Sequence, residues 1–284
     1  MTTIRPRRSA LYMPASNVRA IEKARSLPCD VVILDLEDSV APEMKAEARD
    51  NALAAAKAGG FGTRELILRV NAIETPWGAD DLKAATQAPF DGVLAPKVGD
   101  AFTATHYGEA LAAAPDLALW AMIETTRAIF RLDEIAAALA ARKGCFVMGT
   151  NDLAKEMGAK LTVERQPFLG FMALAVAAAK GYGLGALDGV FNAIEDDAGL
   201  ERQCAEARSF GFDGKTLIHP RQIDFTNRAF SPSGEDVAWA EAVIAGFALP
   251  ENGDKGAIRI GKEMVERLHI AEARKIIAAT GRER

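Results

Sequence analysis

In the stretch VVILDLED, residues 31 to 38, an apolar and β-branched run ends in three carboxylates, Asp35, Glu37 and Asp38. A continuous apolar run suits a strand buried on both faces, as in a parallel sheet covered by helices. Carboxylates at the end of such a strand are costly to bury unless an arginine or a metal ion meets them. The same placement recurs along the chain. Apolar runs end at Arg69 and Asn71, at Lys97, at Glu124, at Asn151 and Asp152, at Asp188 and Asn192, and at His219. This set is acid-rich, with one arginine and one lysine. It holds no Cys/His cluster, which argues against zinc. Carboxylates on separate strands, with room for water and substrate oxygens, suit Mg²⁺ or Mn²⁺. No serine or cysteine stands as an obvious triad partner for His106, His219 or His269, and no Walker-type loop is present.

Each residue also has a plainer reading. LDLED can be an acidic loop paired with nearby arginines. Glu124 and Asp152 can cap the helices that follow them, and His219 before Pro220 can be an ordinary strand-end histidine. Arg69 inside LILRVN is harder to dismiss, because a buried arginine needs an anionic partner. The coincidence of all these residues at strand ends outweighs any one of them.

The elements that would position them alternate. Strands are expected at 9–14, 31–38, 65–71, 92–98, 117–125, 145–152, 186–192 and 214–220, with helix-compatible sequence between them. Ser16 or Asn17 can cap the first helix, and Gly59 and Gly60 follow the second. Eight strand-then-helix units in about 225 residues match a closed (β/α)8 TIM barrel of the α/β class. The alternative, a doubly wound open sheet, would carry a GxGxxG turn after the first strand, and none is there. From about Ser231 the pattern changes. SPSGEDVAWAEAVIAGFA reads as a capped helix, ENGDKGAIRIGKE as a polar connector, and MVERLHIAEARKIIAATG as a final amphipathic helix. The expected division is a catalytic barrel over 1–230 and a C-terminal helical extension over 231–284. That extension would cover a barrel mouth, its own or a neighbouring subunit's.

Bulk properties are those of an ordinary globular chain: 284 residues, 49% hydrophobic and 26% charged. The net charge of −5 gives no electrostatic reason to expect nucleic acid or an anionic membrane surface. No apolar run approaches a membrane span, and the amino terminus lacks the apolar core of a signal peptide. Cys29, Cys145 and Cys204 read as buried thiols in a reducing compartment, so a cytoplasmic enzyme is the expectation.

RRSALYMPASN, LDLEDSVAPEMKAEAR, LRVNAIETPWGADDL, APKV, MIET, MGTNDLAKEMG, LDGVFN, GFDGKTLIHPRQI and FSPS occur in this order. Together they resemble the citrate lyase β-subunit-like group of the HpcH/HpaI aldolase superfamily, from about residue 7 to residue 275. LALWAMIET, MGTNDLAKEMG and GKEMVERLHIAEAR are most similar to its malyl-CoA thioesterase and malyl-CoA/citramalyl-CoA lyase branch. The resemblance implies a (β/α)8 barrel assembled as a homotrimer or homohexamer, one Mg²⁺ per site, and coenzyme A as part of the substrate. It implies Glu124 and Asp152 as metal ligands and Arg69 facing the substrate's carbonyl and carboxylate oxygens. Glu37 and Asp38 would hold metal-bound waters and orient Arg69, while Ser16, Asn17, Arg19 and Lys23 would lie near the CoA phosphates. In the family's lyases an aspartate of a C-terminal motif is the acid/base and reaches a neighbouring subunit's site. The matching stretch here is Met264-Val265-Glu266, a departure that makes Glu266 the acid. The implied activity is reversible retro-Claisen cleavage of a malyl-CoA or citramalyl-CoA type thioester to an acyl-CoA and a 2-oxoacid. The alternative is a (3S)-malyl-CoA thioesterase on the same scaffold. A subunit working only within a carrier-protein-dependent citrate lyase complex is the third reading.

Overall fold

The structure, a computed structural model, describes residues 5–280. The outermost residues of the two expected segments, 1–4 and 281–284, lie outside it. The described chain divides at Phe230/Ser231 into two compact units.

In the first unit eight parallel strands close into a barrel in sequential order. They are β1 Ser9–Pro14, β2 Val31–Asp35, β3 Glu65–Arg69, β4 Gly92–Ala95, β5 Ala118–Ile123, β6 Cys145–Met148, β7 Gly185–Asp188 and β8 Gly214–Leu217. The helices between them are α1 Val18–Ala24, α2 Lys45–Ala58, α3 Gly78–Ala85, α4 Ala101–Ala110, α5 Thr126–Ile129, α6 Leu132–Leu139, α7 Thr150–Met157, α8 Leu169–Gly181 and α9 Asp197–Phe210, with α10 Ile223–Phe230 after β8. The closed (β/α)8 barrel expected from the sequence is therefore present. Most strands are shorter than the apolar runs that announced them, because pairing stops where the chain turns toward its helix.

Alternation along each strand sorts the side chains into two layers. Ala10, Val31, Ile33, Ile67, Leu94, Trp120, Met122, Val147 and Leu187 fill the barrel interior. Their neighbours, such as Val32, Leu34, Leu68, Leu119 and Phe146, face outward and pack among the surrounding helices. At the amino-terminal end Arg7 lies over the Trp120 ring at 4.6 Å and pairs with Glu65 at 2.7 Å. Arg8 pairs with Asp30 and Arg5 with Asp91. The basic cluster of the amino terminus thus closes that rim of the barrel, where residues serve stability.

Asp188 follows the inward Leu187, so its carboxylate points outward, away from the barrel interior. There it meets Arg165 at 2.7 Å and Lys215 at 2.7 Å, all three buried. Burial alone would raise the Asp188 carboxyl, but Lys215 and Arg165 outweigh it and hold it below the usual carboxylate range. This strand-end carboxylate is structural, contrary to its place among the candidate site residues.

In the second unit Ser233 caps α11 Gly234–Ala248 in a capping box with Asp236. Residues 257–266, read from sequence as connector and helix start, form an antiparallel hairpin, β9 Ala257–Ile260 with β10 Glu263–Glu266. AIRI alternates, and Gly261 takes the left-handed φ of 59° that a tight hairpin turn requires. Helix α12, His269–Ala279, follows. Ala240, Val243, Phe247, Ile258, Val265 and Ala273 form this unit's own core. No helix among the described residues is long and apolar enough to cross a membrane.

Replacing Asp188 with alanine would leave Lys215 and Arg165 buried without their shared anion. Urea denaturation should show a loss of about 3–5 kcal/mol, the usual cost of breaking a buried ion pair from one side.

Candidate active site

The carboxyl-terminal rim of the barrel gathers two charge clusters. The first is built on strand register. Asp35 and Arg69 end β2 and β3 and are paired across the sheet. Each stands two residues beyond an inward apolar residue, Ile33 and Ile67, so both side chains face the interior. The guanidinium is bidentate to Asp35, with Nε 2.6 Å from Oδ1 and Nη2 2.7 Å from Oδ2. Its Nη1 lies 2.9 Å from Glu37 and 3.6 Å from Asp38, and its plane is 4.9 Å from the Tyr12 ring. Burial alone would raise the Asp35 carboxyl, but Arg69 and hydrogen bonds from Ser39 and the Glu37 backbone hold it low. Burial pushes the Glu37 carboxyl up to about 7 against the pull of Arg69, with Asp38 adding to the rise. Asp38 itself is exposed. Lys45 fixes the loop by donating to the carbonyls of Leu36 and Glu37, both at 2.8 Å.

The second cluster joins β4, β5 and the turn after β6. Glu124 stands two residues beyond the inward Met122 and is 2% exposed. Asp152 was expected at the end of the sixth strand; that strand stops at Met148, and Asp152 lies in the first turn of α7. Lys97 binds both. Its backbone N–H donates to Glu124 Oε1 at 2.7 Å, while its Nζ is 2.8 Å from Asp152 and 3.7 Å from Glu124. Burial pushes the Glu124 carboxyl up to about 7 against the pull of Lys97. Burial would also raise Asp152, but the hydrogen bond and charge of Lys97, with smaller help from Glu124 and Lys155, together outweigh it and hold that carboxyl low. Charge on Glu37 is felt at Glu124 and Lys97, so the two clusters form one electrostatic unit.

Glycine at 149 makes room for this arrangement. It stands two residues beyond the inward Val147, beside Glu124. A Cβ there would lie 2.3 Å from the Glu124 Cβ and 2.8 Å from its Oε2.

Other candidates stand elsewhere. Asn71 gives its backbone N–H and its side-chain amide to Asp81. Asn151 and Asn192 bond each other, and His219 accepts from the Arg221 backbone N–H. Asn17 caps α1 by accepting from the Ala20 N–H at 3.1 Å. Ser16 is half-buried beside it, and Arg19 and Lys23 are exposed, with no ion-pair partner among the described residues. Glu266 is exposed on β10 of the second unit, and its backbone N–H donates to His269 Nδ1 at 2.9 Å. The sequence placed Lys97 among the strand-end residues without a specific role, and it gave no place in the site to Tyr12, Lys45 or Gly149. APKV and MGTND carried two of them, but only the fold shows that both residues serve Glu124.

The oxygens of Glu124 and Asp152 converge on a single cationic group and are hard donors. Among the described residues no third His, Cys, Asp or Glu joins them to complete a cage. Such a pair fits Mg²⁺, which keeps several waters and takes one or two carboxylates.

Gly149→Ala should displace the Glu124 carboxylate and weaken Mg²⁺ binding by about 10- to 100-fold in calorimetric titration. Glu124 also sets a pH dependence in chelator. Its carboxyl ionises near 4.5 when unfolded and at about 7 when folded, so between these values the unfolded chain holds fewer protons. Stability contributed by this group is therefore full below pH 4.5 and is lost as pH rises toward 7, at up to about 1.4 kcal/mol per pH unit. Glu124→Gln should flatten that part of a denaturation-versus-pH profile.

The HpcH/HpaI aldolase/citrate lyase family pattern matches residues 8–220. A (3S)-malyl-CoA thioesterase of Cereibacter sphaeroides is 43% identical over 274 residues, covering 96% of this chain and 94% of the relative. An L-malyl-CoA/β-methylmalyl-CoA lyase of Cereibacter sphaeroides is 32% identical over 96% of this chain and 94% of its own length. Among solved structures, the CitE protein of Mycobacterium tuberculosis in complex with magnesium, acetoacetate and coenzyme A superposes with a TM-score of 0.79. It is 30% identical, and the match covers 97% of this chain and 98% of that one. By family pattern and by relatives spanning nearly its whole length, the chain belongs to the HpcH/HpaI aldolase/citrate lyase family.

Proposed function

We propose that this chain is a Mg²⁺-dependent enzyme that cleaves the C–C bond of a malyl-CoA or citramalyl-CoA type thioester, reversibly, to an acyl-CoA and a 2-oxoacid. The observation that carries the reading is the convergence of Glu124 and Asp152 on one cation beside the fixed guanidinium of Arg69. The substrate class is supported by the relatives named for malyl-CoA and by the mycobacterial structure that holds magnesium and coenzyme A.

In this reading Glu124 and Asp152 hold the metal, which supplies Lewis-acid charge to the substrate oxygens. Arg69 has Nε, Nη2 and Nη1 engaged by Asp35 and Glu37 and keeps part of its donor fork for a substrate oxygen. It stabilises negative charge as the malyl hydroxyl passes its proton to the water held beside Glu37 and becomes the carbonyl of the 2-oxoacid. The C–C bonding pair moves into the thioester as an enolate, and Glu266 delivers the proton that quenches it. In the condensing direction Glu266 removes that proton. Glu37 and Asp38 orient Arg69 and hold water beside it. Ser16, Asn17, Arg19 and Lys23 bind the CoA phosphates, a role that suits the exposed cations of Arg19 and Lys23.

Glu266 lies between Met264 and Leu268, which are 78% and 67% exposed. Apolar side chains bared around an acid suit a surface that docks. The same reading has the chain assemble as a homotrimer or homohexamer in which the C-terminal segment completes a neighbouring subunit's site. Three buried free thiols suit a reducing cytoplasm.

Hydrolysis of (3S)-malyl-CoA is the second reading, favoured by 43% identity to named thioesterases against 32% to named malyl-CoA lyases. There Glu266 takes a proton from the water that attacks the thioester carbonyl carbon, and the C–S bond breaks to release CoA.

Incubation with Mg²⁺ and (3S)-malyl-CoA, with glyoxylate, acetyl-CoA, malate and free CoA measured separately, tests both. Glyoxylate with acetyl-CoA is the result expected for cleavage. Malate with CoA and no glyoxylate would replace that reading with hydrolysis, and no product in either channel would overturn the malyl substrate. Under either reaction Glu266→Ala should lower kcat by about 100-fold or more with little change in KM.

A further inference from the structure

Lys97 is one of three non-glycine residues with a left-handed backbone among those described, at φ 56°. That conformation is uncommon for a residue with a side chain and persists where surroundings enforce it, often at functional sites. Its effect here is specific. The backbone N–H meets Glu124 at 2.7 Å, and the ammonium of the same residue meets Asp152 at 2.8 Å.

A buried carboxylate beside a second one needs a positive charge to remain compact. The Lys215–Asp188 pair behind the barrel wall is sealed, with both side chains fully buried. The Lys97–Asp152 pair differs, because the two side chains are 43% and 29% exposed, so they can part. An ammonium and a divalent cation on the same oxygens repel at short range, and one must leave.

We infer that Lys97 is a built-in stand-in for the metal: its ammonium neutralises Glu124 and Asp152 when Mg²⁺ is not bound and is displaced toward solvent when Mg²⁺ arrives. This rests on the reading that those two carboxylates hold the metal. Loading the site is then an exchange of one cation for another, which keeps the rim assembled before the metal comes and weakens the metal's net affinity.

Calorimetric titration of the substrate-free full chain with MgCl₂ tests it. Lys97→Met should bind Mg²⁺ about tenfold more tightly than the unaltered protein, and Lys97→Arg should not. In the unaltered protein, reductive methylation read by mass spectrometry should modify Lys97 slowly in chelator and faster in MgCl₂. This second measurement needs no variant to fold. Equal or weaker Mg²⁺ binding by folded Lys97→Met, or Lys97 labelling indifferent to Mg²⁺, overturns the stand-in while leaving the metal assignment intact. No Mg²⁺ binding by any of the proteins overturns both.

Discussion

Charge buried at the rim of a barrel must be answered within a few ångströms, and that constraint organises this site. Asp35 lies almost wholly out of water and is answered by the fork of Arg69. Glu124 is equally enclosed and is answered by Lys97, from the backbone and from the side chain. The cost of removing these groups from water is large, and the short bidentate contacts offset it only because the strands hold both partners in register. A guanidinium fixed in this way cannot wander to follow a substrate; the substrate must come to it. Such preorganisation is what electrostatic catalysis requires.

Much of this was legible from the order of residues. Apolar runs ending in polar residues mark the eight strands, and period-two alternation places Asp35, Arg69 and Glu124 on one face once their inward neighbours are known. The same rule applied to LDG would have put Asp188 outside the barrel, since Leu187 faces in. Its role was obscured because the register of a four-residue strand cannot be read from composition. Asp152 was misplaced by a few residues for a related reason: GTNDLAKE carries both a strand's ending and a helix's beginning, and the chain turns between them. The hairpin over residues 257–266 was hidden by Gly and charge, which read as connector unless the Ile258–Ile260 alternation is weighed against them. Pairings between distant residues left no local trace at all. Nothing near Gly149 announces that its missing Cβ leaves room for Glu124.

The family places this chain among enzymes whose names divide between breaking a C–C bond and hydrolysing a thioester. The rim of the barrel is common ground for both proposals, since each needs a cationic pocket for oxygens that gain charge. The difference falls on the group that moves a proton, and the proposed group, Glu266, belongs to the other compact unit. A glutamate carries its carboxyl one methylene further from the backbone than an aspartate would. On that proposal, divergence of reaction would proceed in the C-terminal segment while the barrel stays as it is.

The seam of the barrel has a consequence for how the chain is made. β1 pairs with β8, Ser9 with Lys215 and Leu11 with Leu217. The first strand to emerge during synthesis must wait for about 200 further residues before its second neighbour exists, while domains fold as units at the pace of synthesis. Throughout that interval the edges of β1 and of the growing sheet present unpaired backbone groups, a known invitation to association. Arg7 and Arg8, which anchor β1 to Glu65 and Asp30 well before β8 is made, bind the waiting strand to what has already folded. Closure of the ring thus waits for β8, and the exposure of those unpaired edges ends when it pairs with β1.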